Sequence, residues 1–543
     1  MSAHQTPSDI EVPLPWEITI GRVLDRVTDG NPGKTFVEIG GKSYSYGQVR
    51  EGVLRTASLF RELGVRHGDR VCLFMPNCVE YLYCWFGLSE LGAISVPINT
   101  AYRRDETAYI LNNAEAVALV TDPSLADVAG DAADLAPGIR HRILRGDGPA
   151  GEGWIYFQTA FDRATPLPDR HNVSPDDVSM LVYTSGTTGN PKGVMVTHRM
   201  YAAAGQGFAH WTQATPDDRF FTCLPFYHAN IQYYSTMGAL AAGATLVIVD
   251  RFSASRFWGQ VRESQATVVN FIGMMMPVLA KNPEQPDDAD NTVRLFYGSP
   301  SFSPEFLSEF QERFATDIIV GFGMTETCYG TIEAIREDRR AGSSGRPRQH
   351  PDPRFENTVR IADAETGRHV GPNTVGEITI KNPTVMPGYW RNDEQNRETL
   401  REGWLYTGDL GWLDDDGFLY FVDRKKDIIR RRGENISSQE VENVIKANPN
   451  VLDCAVVAVP SELGEDEVKA YVTPRPGATV NPEEVVYWCA EHLAYFKVPR
   501  YWEVRDELPR TPSLRVRKDV LRQEREDLIE GCYDLEAAGI RLR

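Results

Sequence analysis

Residues 183–193 combine glycines and hydrogen-bond donors at a density that suits the binding of a polyphosphate. The segment holds three glycines, four serine or threonine hydroxyls and one lysine, Lys192. Glycines allow backbone N–H groups to turn towards one anion, hydroxyls add donors, and the lysine adds a mobile positive charge. A Walker-type loop is excluded because Gly193, not serine or threonine, follows the lysine. The residues expected to hold phosphate oxygens are Thr184, Ser185, Gly186, Thr187, Thr188, Gly189 and Lys192.

A second group of candidate residues lies in segment 321–327, directly after a predicted strand. Ligands of open α/β sheets gather at the carboxyl ends of strands. Thr325 can donate to a phosphate, and Glu326 offers a hard carboxylate for Mg²⁺. Gly298 and Ser299 end another predicted strand, but this signal is weaker because glycine–serine pairs are common in turns.

Three more residues complete the set of candidates. The carboxylate of Asp409 can accept two hydrogen bonds from neighbouring ribose hydroxyls, and Arg424 follows it downstream. Either residue alone is typical of a solvated surface charge. Because both follow segments 183–193 and 321–327 along the chain, a ligand site is favoured. His228 lies in an aromatic, apolar run; such a histidine usually packs in a core, and the alternative is that it lines a substrate pocket.

Composition excludes several classes of protein. The net charge of −19 argues against nucleic-acid or anionic-membrane partners, because such binding needs a basic face. The eight cysteines contain no C-x-x-C pair, which is typical of a reduced compartment. No signal peptide or apolar tract long enough for a bilayer is evident, so a soluble, cytoplasmic protein is predicted.

These candidate residues need a scaffold, and the chain alternates short apolar runs with helical segments, such as residues 46–63. That alternation predicts an α/β fold with parallel or mixed sheets covered by helices. After residue 358 the pattern becomes β-rich, which suggests a small barrel-like subdomain. We predict a large N-terminal domain over 15–425, a small mobile α+β C-terminal domain over 427–525, and a hinge near Lys426.

Together the motifs resemble the adenylate-forming superfamily of acyl-CoA synthetases, luciferases and peptide-synthetase adenylation domains. The resemblance extends from about residue 19 to about residue 522, and residues 423–437 with the prolines near the C-terminus are most similar to the carnitine/crotonobetaine-CoA ligase branch. It implies adenylation of an acid by ATP and Mg²⁺, release of pyrophosphate, and transfer to a nucleophile, by default CoA. It also implies nucleotide contacts at Gly298, Ser299, Gly321, Phe322, Gly323, Met324, Thr325, Asp409 and Arg424, and catalytic roles for Lys192, Thr325, Glu326, Arg515 and His228.

Two positions depart from the family pattern. Arg515 stands where the family has a lysine that reaches the acid and the α-phosphate, and a guanidinium is wider than an ammonium. Arg432 stands where thioester-forming members often have a glycine. Two alternatives therefore stay open: a diazotase-type enzyme of secondary metabolism that transfers activated nitrite to an aryl amine, and an inactive nucleotide-binding homologue. The oligomeric state is also open, with a homodimer as one alternative.

Overall fold

The computed structural model describes residues 18–146, 153–168, 172–184, 191–273, 275–299, 302–335, 339–363, 366–425, 427–431, 434–460, 466–511, 515–540 and 542. Its α-helices are α1 (Ile20–Gly30), α2 (Tyr46–Glu62), α3 (Val79–Glu90), α4 (Arg104–Asn113), α5 (Ala126–Asp134), α6 (Phe157–Arg163), α7 (His198–Trp211), α8 (Met237–Ala242), α9 (Phe257–Glu263), α10 (Met275–Ala280), α11 (Pro304–Phe314), α12 (Asp393–Thr399), α13 (Ser438–Ala447), α14 (Pro482–His492) and α15 (Lys518–Leu521).

The strands alternate with these helices over most of the chain. They are β1 (Thr35–Ile39), β2 (Lys42–Ser45), β3 (Arg70–Phe74), β4 (Ile94–Pro97), β5 (Ala118–Thr121), β6 (His141–Leu144), β7 (Trp154–Tyr156), β8 (Val178–Thr184), β9 (Lys192–Thr197), β10 (Arg219–Thr222), β11 (Thr245–Ile248), β12 (Val268–Ile272), β13 (Leu295–Ser299), β14 (Asp317–Met324), β15 (Thr327–Ile332), β16 (Thr358–Ala362), β17 (Gly376–Lys381), β18 (Leu400–Arg401), β19 (Trp404–Leu413), β20 (Leu419–Arg424), β21 (Ile429–Arg431), β22 (Glu434–Ile436), β23 (Val451–Pro460), β24 (Asp466–Pro474), β25 (Tyr501–Val504) and β26 (Tyr533–Asp534).

The chain divides into two compact units, which we call unit 1 (Met1–Val359 with Ile380–Leu405) and unit 2 (Arg360–Thr379 with Tyr406–Arg543). Unit 1 contains a seven-stranded sheet in the order β7-β6-β5-β3-β4-β8-β9 and an eight-stranded sheet in the order β15-β14-β13-β12-β10-β11-β1-β2. Neighbouring strands run parallel except for the pairs β8–β9, β14–β15 and β1–β2. The predicted α/β fold with large mixed sheets is confirmed.

Burial of both faces explains why the central strands of unit 1 are continuous apolar runs. Along β3, Val71 and Leu73 pack into one buried cluster, while Cys72 and Phe74 pack into another. Successive side chains of a strand point to opposite faces, so helices must cover both sides of this sheet. Helix α2 begins at a capping box, where the Ser45 hydroxyl accepts a hydrogen bond from the backbone N–H of Gln48.

Unit 2 contains the hairpin β21–β22 and a four-stranded sheet in the order β23-β24-β25-β26. Strand β24 runs parallel to β25, and the other two pairs are antiparallel. Earlier in unit 2, β19 pairs with β20, and Asp409 lies opposite Arg424 in that register. The predicted hinge residue Lys426 lies outside the described residues, so the domain boundary near it stays a prediction.

Candidate active site

The predicted polyphosphate-binding segment, residues 183–193, begins and ends in two antiparallel strands of unit 1. Strand β8 ends at Thr184 and β9 begins at Lys192, and these two residues face each other in the register. The described structure therefore fixes both ends of the segment. The predicted ligands Ser185, Gly186, Thr187, Thr188 and Gly189 lie outside the described residues, and their role stays a prediction.

Lys192 is held by side chains that are distant in sequence. Its Nζ donates a hydrogen bond to Oε1 of Gln395 on α12, and it lies 5.6 Å from the ring centre of Tyr389. Burial lowers the pKa of Lys192, while the negative charges of Glu398 and Glu326 act in the opposite direction. The ammonium is thus positioned by a neutral amide and an aromatic face.

Thr325 and Glu326 form the turn of a β-hairpin. Strand β14 continues through Met324, which pairs with Thr327 at the start of β15. The sequence predicted that the strand would end near Gly321; the antiparallel partner β15 extends it, because its backbone supplies hydrogen bonds to β14. The turn therefore places the hydroxyl and the carboxylate side by side at the end of a rigid pair of strands.

Glu326 is only 7% exposed, and its carboxylate is anchored by Tyr389. The Tyr389 hydroxyl donates a hydrogen bond of 2.8 Å to Oε1 of Glu326, and the backbone N–H of Met386 donates to the Glu326 carbonyl at 2.8 Å. Burial and the nearby Glu326 charge raise the pKa of the Tyr389 phenol, so it remains a hydrogen-bond donor.

Tyr389 reaches both motifs because its segment lies against β9. The backbone N–H of Trp390 donates to the Gly193 carbonyl at 2.7 Å, and that of Met195 donates to the Gly388 carbonyl at 3.1 Å. One tyrosine thus contacts the lysine of the first motif and the carboxylate of the second. Sequence reasoning missed it, although a tyrosine between glycine and tryptophan in a β-rich segment was a visible signal.

The predicted nucleotide-binding glycines of unit 1 lie where neighbouring backbone comes close. A Cβ on Gly298 would lie 2.2 Å from the Phe271 carbonyl oxygen, and one on Gly321 would lie 2.8 Å from that of Thr331. A Cβ on Gly323 would lie 2.9 Å from the Cys328 carbonyl oxygen. Sheet packing alone therefore requires glycine at these three positions. The remaining predicted contacts of this unit are Ser299, which is exposed, Phe322, which is buried, and Met324, which is half-buried.

His228 lies just before a π-helical turn, Ile231–Thr236. Burial lowers its pKa to about 4, so the imidazole is neutral at physiological pH. Its Nε2 is buried and has no hydrogen-bond partner among the residues that the structure describes. The predicted role of His228 as a pocket-lining residue stays a prediction.

The other candidate residues belong to unit 2. The Arg424 guanidinium lies 3.6 Å from Oδ1 of Asp409. Arg515 is exposed. The positive charge of Arg424 acts to lower the pKa of Arg515, and the negative charges of Asp427 and Asp409 act to raise it. Arg515 therefore lies within electrostatic reach of Asp409 and Arg424, whereas Arg432 is outside the described residues.

Metal binding by protein side chains alone is not indicated in the described part of the chain. No group of three or more histidine, cysteine, aspartate or glutamate residues is close enough to hold an ion there. A single carboxylate such as Glu326 is still suitable for Mg²⁺, which proteins commonly bind through one or two carboxylates and the phosphates of a substrate. Among the same residues, no helix is both long and apolar enough to cross a bilayer.

Comparisons with known proteins cover most of the chain. Residues 24–390 match the family model for AMP-binding enzymes, and residues 440–515 match the C-terminal domain of AMP-binding enzymes. A crotonobetaine/carnitine–CoA ligase of Salmonella agona (strain SL483) is 36% identical over 489 residues, which cover 89% of this chain and 93% of the relative.

Solved structures of similar proteins also cover most of the chain. An anthranilate CoA ligase, AuaEII, in complex with anthranoyl-AMP is similar with a TM-score of 0.86 and 25% identity, covering 96% of this chain and 99% of that one. ATP-bound MatB from Rhodopseudomonas palustris is similar with a TM-score of 0.84 and 28% identity, covering 94% of this chain and all of that one.

Proposed function

Because the chain belongs to the family of AMP-binding, adenylate-forming ligases, we propose that it joins a carboxylic acid to CoA in two steps. In the first step, a carboxylate oxygen attacks the α-phosphorus of ATP, the bond to the β-phosphate breaks, and pyrophosphate leaves. In the second step, the CoA thiol loses its proton and attacks the acyl carbon, and AMP leaves. The products are acyl-CoA, AMP and pyrophosphate.

The observation that carries the proposal for unit 1 is the shared contact of Lys192 and Glu326 with Tyr389. It supports one site in which a cation and a carboxylate act on the same triphosphate. Lys192 would neutralise charge on the phosphates, and the Thr325 hydroxyl would donate to the α-phosphate. Glu326 would be a ligand of Mg²⁺, which supplies further neutralisation of phosphate charge when it is bound.

The residues of unit 2 have proposed roles that follow from their chemistry. Asp409 would accept hydrogen bonds from the ribose hydroxyls, and Arg424, paired with it, would orient that carboxylate. Arg515 would supply positive charge to the acid or the α-phosphate. A hinge near Lys426 would reorient the C-terminal domain between the two steps.

The acid that we propose is a small one of the betaine type, because the similar Salmonella ligase is named for crotonobetaine and carnitine. The comparisons support a CoA ligase, and they lend no support to a nitrite-activating diazotase or to an inactive homologue. A cytoplasmic location and a homodimer stay predictions; light scattering of the purified chain would test the second.

The decisive experiment is a screen for pyrophosphate release with fatty, aryl and betaine acids and with nitrite, each with and without CoA. The proposal expects release with at least one carboxylic acid and formation of its CoA thioester. Release only with nitrite and an aryl amine would favour the diazotase. ATP binding without release in any reaction would favour the inactive homologue.

A further inference from the structure

Arg515 and Arg424 are cations near the same carboxylate, Asp409. Arg515 is exposed, and the positive charge of Arg424 acts on it as a like charge. Like charges repel, and an arginine side chain has many rotamers, so the Arg515 guanidinium moves away from Arg424 unless the backbone beneath it is fixed. Two cations that are kept together suit a shared anion. The contacts that fix this backbone therefore bear on function.

Hydrogen bonds to Thr511 restrict the backbone of Arg515. The Arg515 N–H donates to the Thr511 hydroxyl at 3.1 Å, and the Thr511 N–H donates to the Arg515 carbonyl at 2.7 Å. Helix α15 begins at Lys518, and only Val516 and Arg517 separate it from Arg515. The place of Arg515 therefore depends on how α15 is held.

The first residue of α15 is anchored to α13 through the Lys518 side chain. Its Nζ donates to Oγ of Ser438 at 2.6 Å and lies 2.7 Å from Oε1 of Glu442, and both partners are buried. The Ser438 hydroxyl accepts from Lys518 and donates its own proton to Oδ2 of Asp423 at 2.7 Å. Asp423 immediately precedes Arg424 on β20. These contacts connect the tail with the strand that carries Arg424.

The other end of α15 is anchored through Arg522. Its Nη2 donates to Oδ1 of Asp427 at 2.6 Å, and the Asp427 N–H donates to the Arg424 carbonyl at 2.8 Å. Lys518 and Arg522 are four residues apart, so they extend from the same side of the helical turn. One anchor ends at the residue before Arg424, and the other ends at the Arg424 carbonyl. The helix is thus fixed relative to Arg424 at two points.

Lys518 is the better shielded of these two anchors. Its side chain is 14% exposed and that of Glu442 is 6% exposed, whereas the Arg522 side chain is 24% exposed. Charges that are shielded from water are screened less, so their pairing restricts geometry more strongly. Of the two anchors, Lys518 therefore contributes more to the position of α15.

We propose that Lys518 is a positioning residue for adenylation, which holds α15 so that the Arg515 guanidinium stays beside Arg424 and both face the same anion. This inference rests on the proposed ligase function, in which that anion is the α-phosphate or the carboxylate of the acid. Lys518 acts through Arg515, because its own ammonium is bound by Ser438 and Glu442. Displacing a charged group by about 1 Å can cost about 10²-fold in rate, since electrostatic stabilisation depends on geometry.

The test is a double-mutant cycle of Lys518→Met and Arg515→Ala in the full-length chain. Steady-state pyrophosphate release is measured with MgATP and carnitine, or with the acid that ranks first in the screen above. Lys518→Met should lower kcat about ten- to hundredfold and change the KM for ATP less than about twofold, because segment 183–193 is unchanged. Arg515→Ala should lower kcat about 10²-fold. In that background Lys518→Met should change kcat less than about twofold, since the group that it positions is absent.

Two further variants complete the experiment. Lys497→Met is the matched control, because Lys497 forms an ion pair of 2.6 Å with Glu440 on the same helix, α13, and it should keep the wild-type kcat. Ser438→Ala removes the hydroxyl between Lys518 and Asp423 without changing any charge, and it should lower kcat about three- to tenfold. If Lys518→Met does not fold, Ser438→Ala takes its place in the cycle with Arg515→Ala.

Fully multiplicative effects in the cycle, as expected for two independent losses of stability, would overturn the inference. A wild-type kcat in Arg515→Ala, in Ser438→Ala or in a folded Lys518→Met variant would overturn it as well. In each of these cases the wild-type chain still releases pyrophosphate, and the proposed ligase function stands. No release by the wild-type chain with any acid of the screen would count against the proposed function itself, and the inference would fall with it.

Discussion

Two regions differ in how they hold their charges: the candidate active site of unit 1 and the buried charge clusters of unit 2. In unit 1, Lys192 donates to the neutral amide of Gln395, and Glu326 accepts from the neutral phenol of Tyr389. In unit 2, Glu503 is bonded by the cations Lys469, Arg505 and Arg525. Neutral partners position a charge without cancelling it, whereas ionic partners neutralise it.

The same contrast appears elsewhere in unit 2. Asp453, 1% exposed, pairs with both Lys446 and Arg510, and the Lys469 side chain is completely buried. Buried ion pairs of this kind mainly prevent the cost of an isolated buried charge. The comparison therefore separates the charges of Lys192 and Glu326, which stay available to a ligand, from those of Glu503 and Asp453, which hold the fold of unit 2 together.

The largest expected effect comes from removing the available charges. Lys192→Ala and Glu326→Gln should each lower kcat/KM for pyrophosphate release by about 10²–10³-fold, because each removes a group that stabilises the transition state. Their free energy of unfolding should change little, since both partners are neutral. Steady-state kinetics and urea unfolding measure the two effects.

Lys497→Ala is the control, since Lys497 forms a surface ion pair of 2.6 Å with Glu440 in unit 2. It should keep wild-type kinetics and lose at most about 1 kcal/mol of stability. Undiminished turnover in a Lys192→Ala, Glu326→Ala double variant would falsify the assignment of the site.

Breaking the ion-pair cluster of unit 2 should act on stability instead. Lys469→Met leaves Glu503 without its buried ammonium partner, and we expect the free energy of unfolding to fall by about 3–5 kcal/mol. Adenylation at low temperature should stay within about twofold of wild type. A loss of stability no larger than that of Lys497→Ala would contradict the structural role of the cluster.

Acid should destabilise the units in different pH ranges. In unit 1, burial lowers the pKa of His198, His228 and His350 to about 4 from 6.5, so the unfolded chain binds more protons between these values. Stability from these histidines is complete above pH 6.5 and decreases as the pH falls towards 4, by up to about 3 kcal/mol each.

In unit 2, the pKa of Glu503 is about 2 instead of 4.5: burial opposes this shift, but Lys469 and Arg505 outweigh it. Its contribution to stability is complete above pH 4.5 and is lost as the pH falls towards 2. Hydrogen exchange, measured as a function of pH on peptides from each unit, shows the pH range in which that unit loses stability. Simultaneous loss of protection in both units above pH 5 would contradict this difference. His198→Gln should make the stability of unit 1 depend less steeply on pH between 6.5 and 4.

The smallest expected effect comes from removing the Tyr389 hydroxyl, the neutral group that donates to Glu326. Tyr389→Phe keeps the ring near Lys192 and removes the hydrogen bond to Glu326, so kcat/KM should fall about three- to tenfold. Tyr406→Phe is the control in unit 2, where the hydroxyl donates to the Gly367 carbonyl. Equal effects of the two substitutions would mean that the Tyr389 hydroxyl has no special role.

Much of the scaffold was predictable because its signals are local. The helical spacing of residues 46–63 corresponds to α2, and the alternation of apolar runs with helical segments corresponds to the strands and helices of unit 1. The hairpin at Thr325 and Glu326 was not predicted, since the extension of β14 depends on pairing with β15. The hydrogen bond from Asn270 to Ser235 was not predicted either, because a single asparagine in a strand does not reveal its partners.

The sequence by itself determined which chemical groups the protein has and their order along the chain. Glycine density, hydroxyls, one lysine and one carboxylate are properties of short segments, and they sufficed to indicate a polyphosphate site. The resemblance of these motifs to a known family then implied a nucleotide-dependent ligase. Only the tertiary structure decided that Lys192 and Glu326 share Tyr389 and that Asn270 donates to Ser235. Such contacts join residues far apart in the chain, and they arise from the packing of whole strands and helices, which no local pattern encodes.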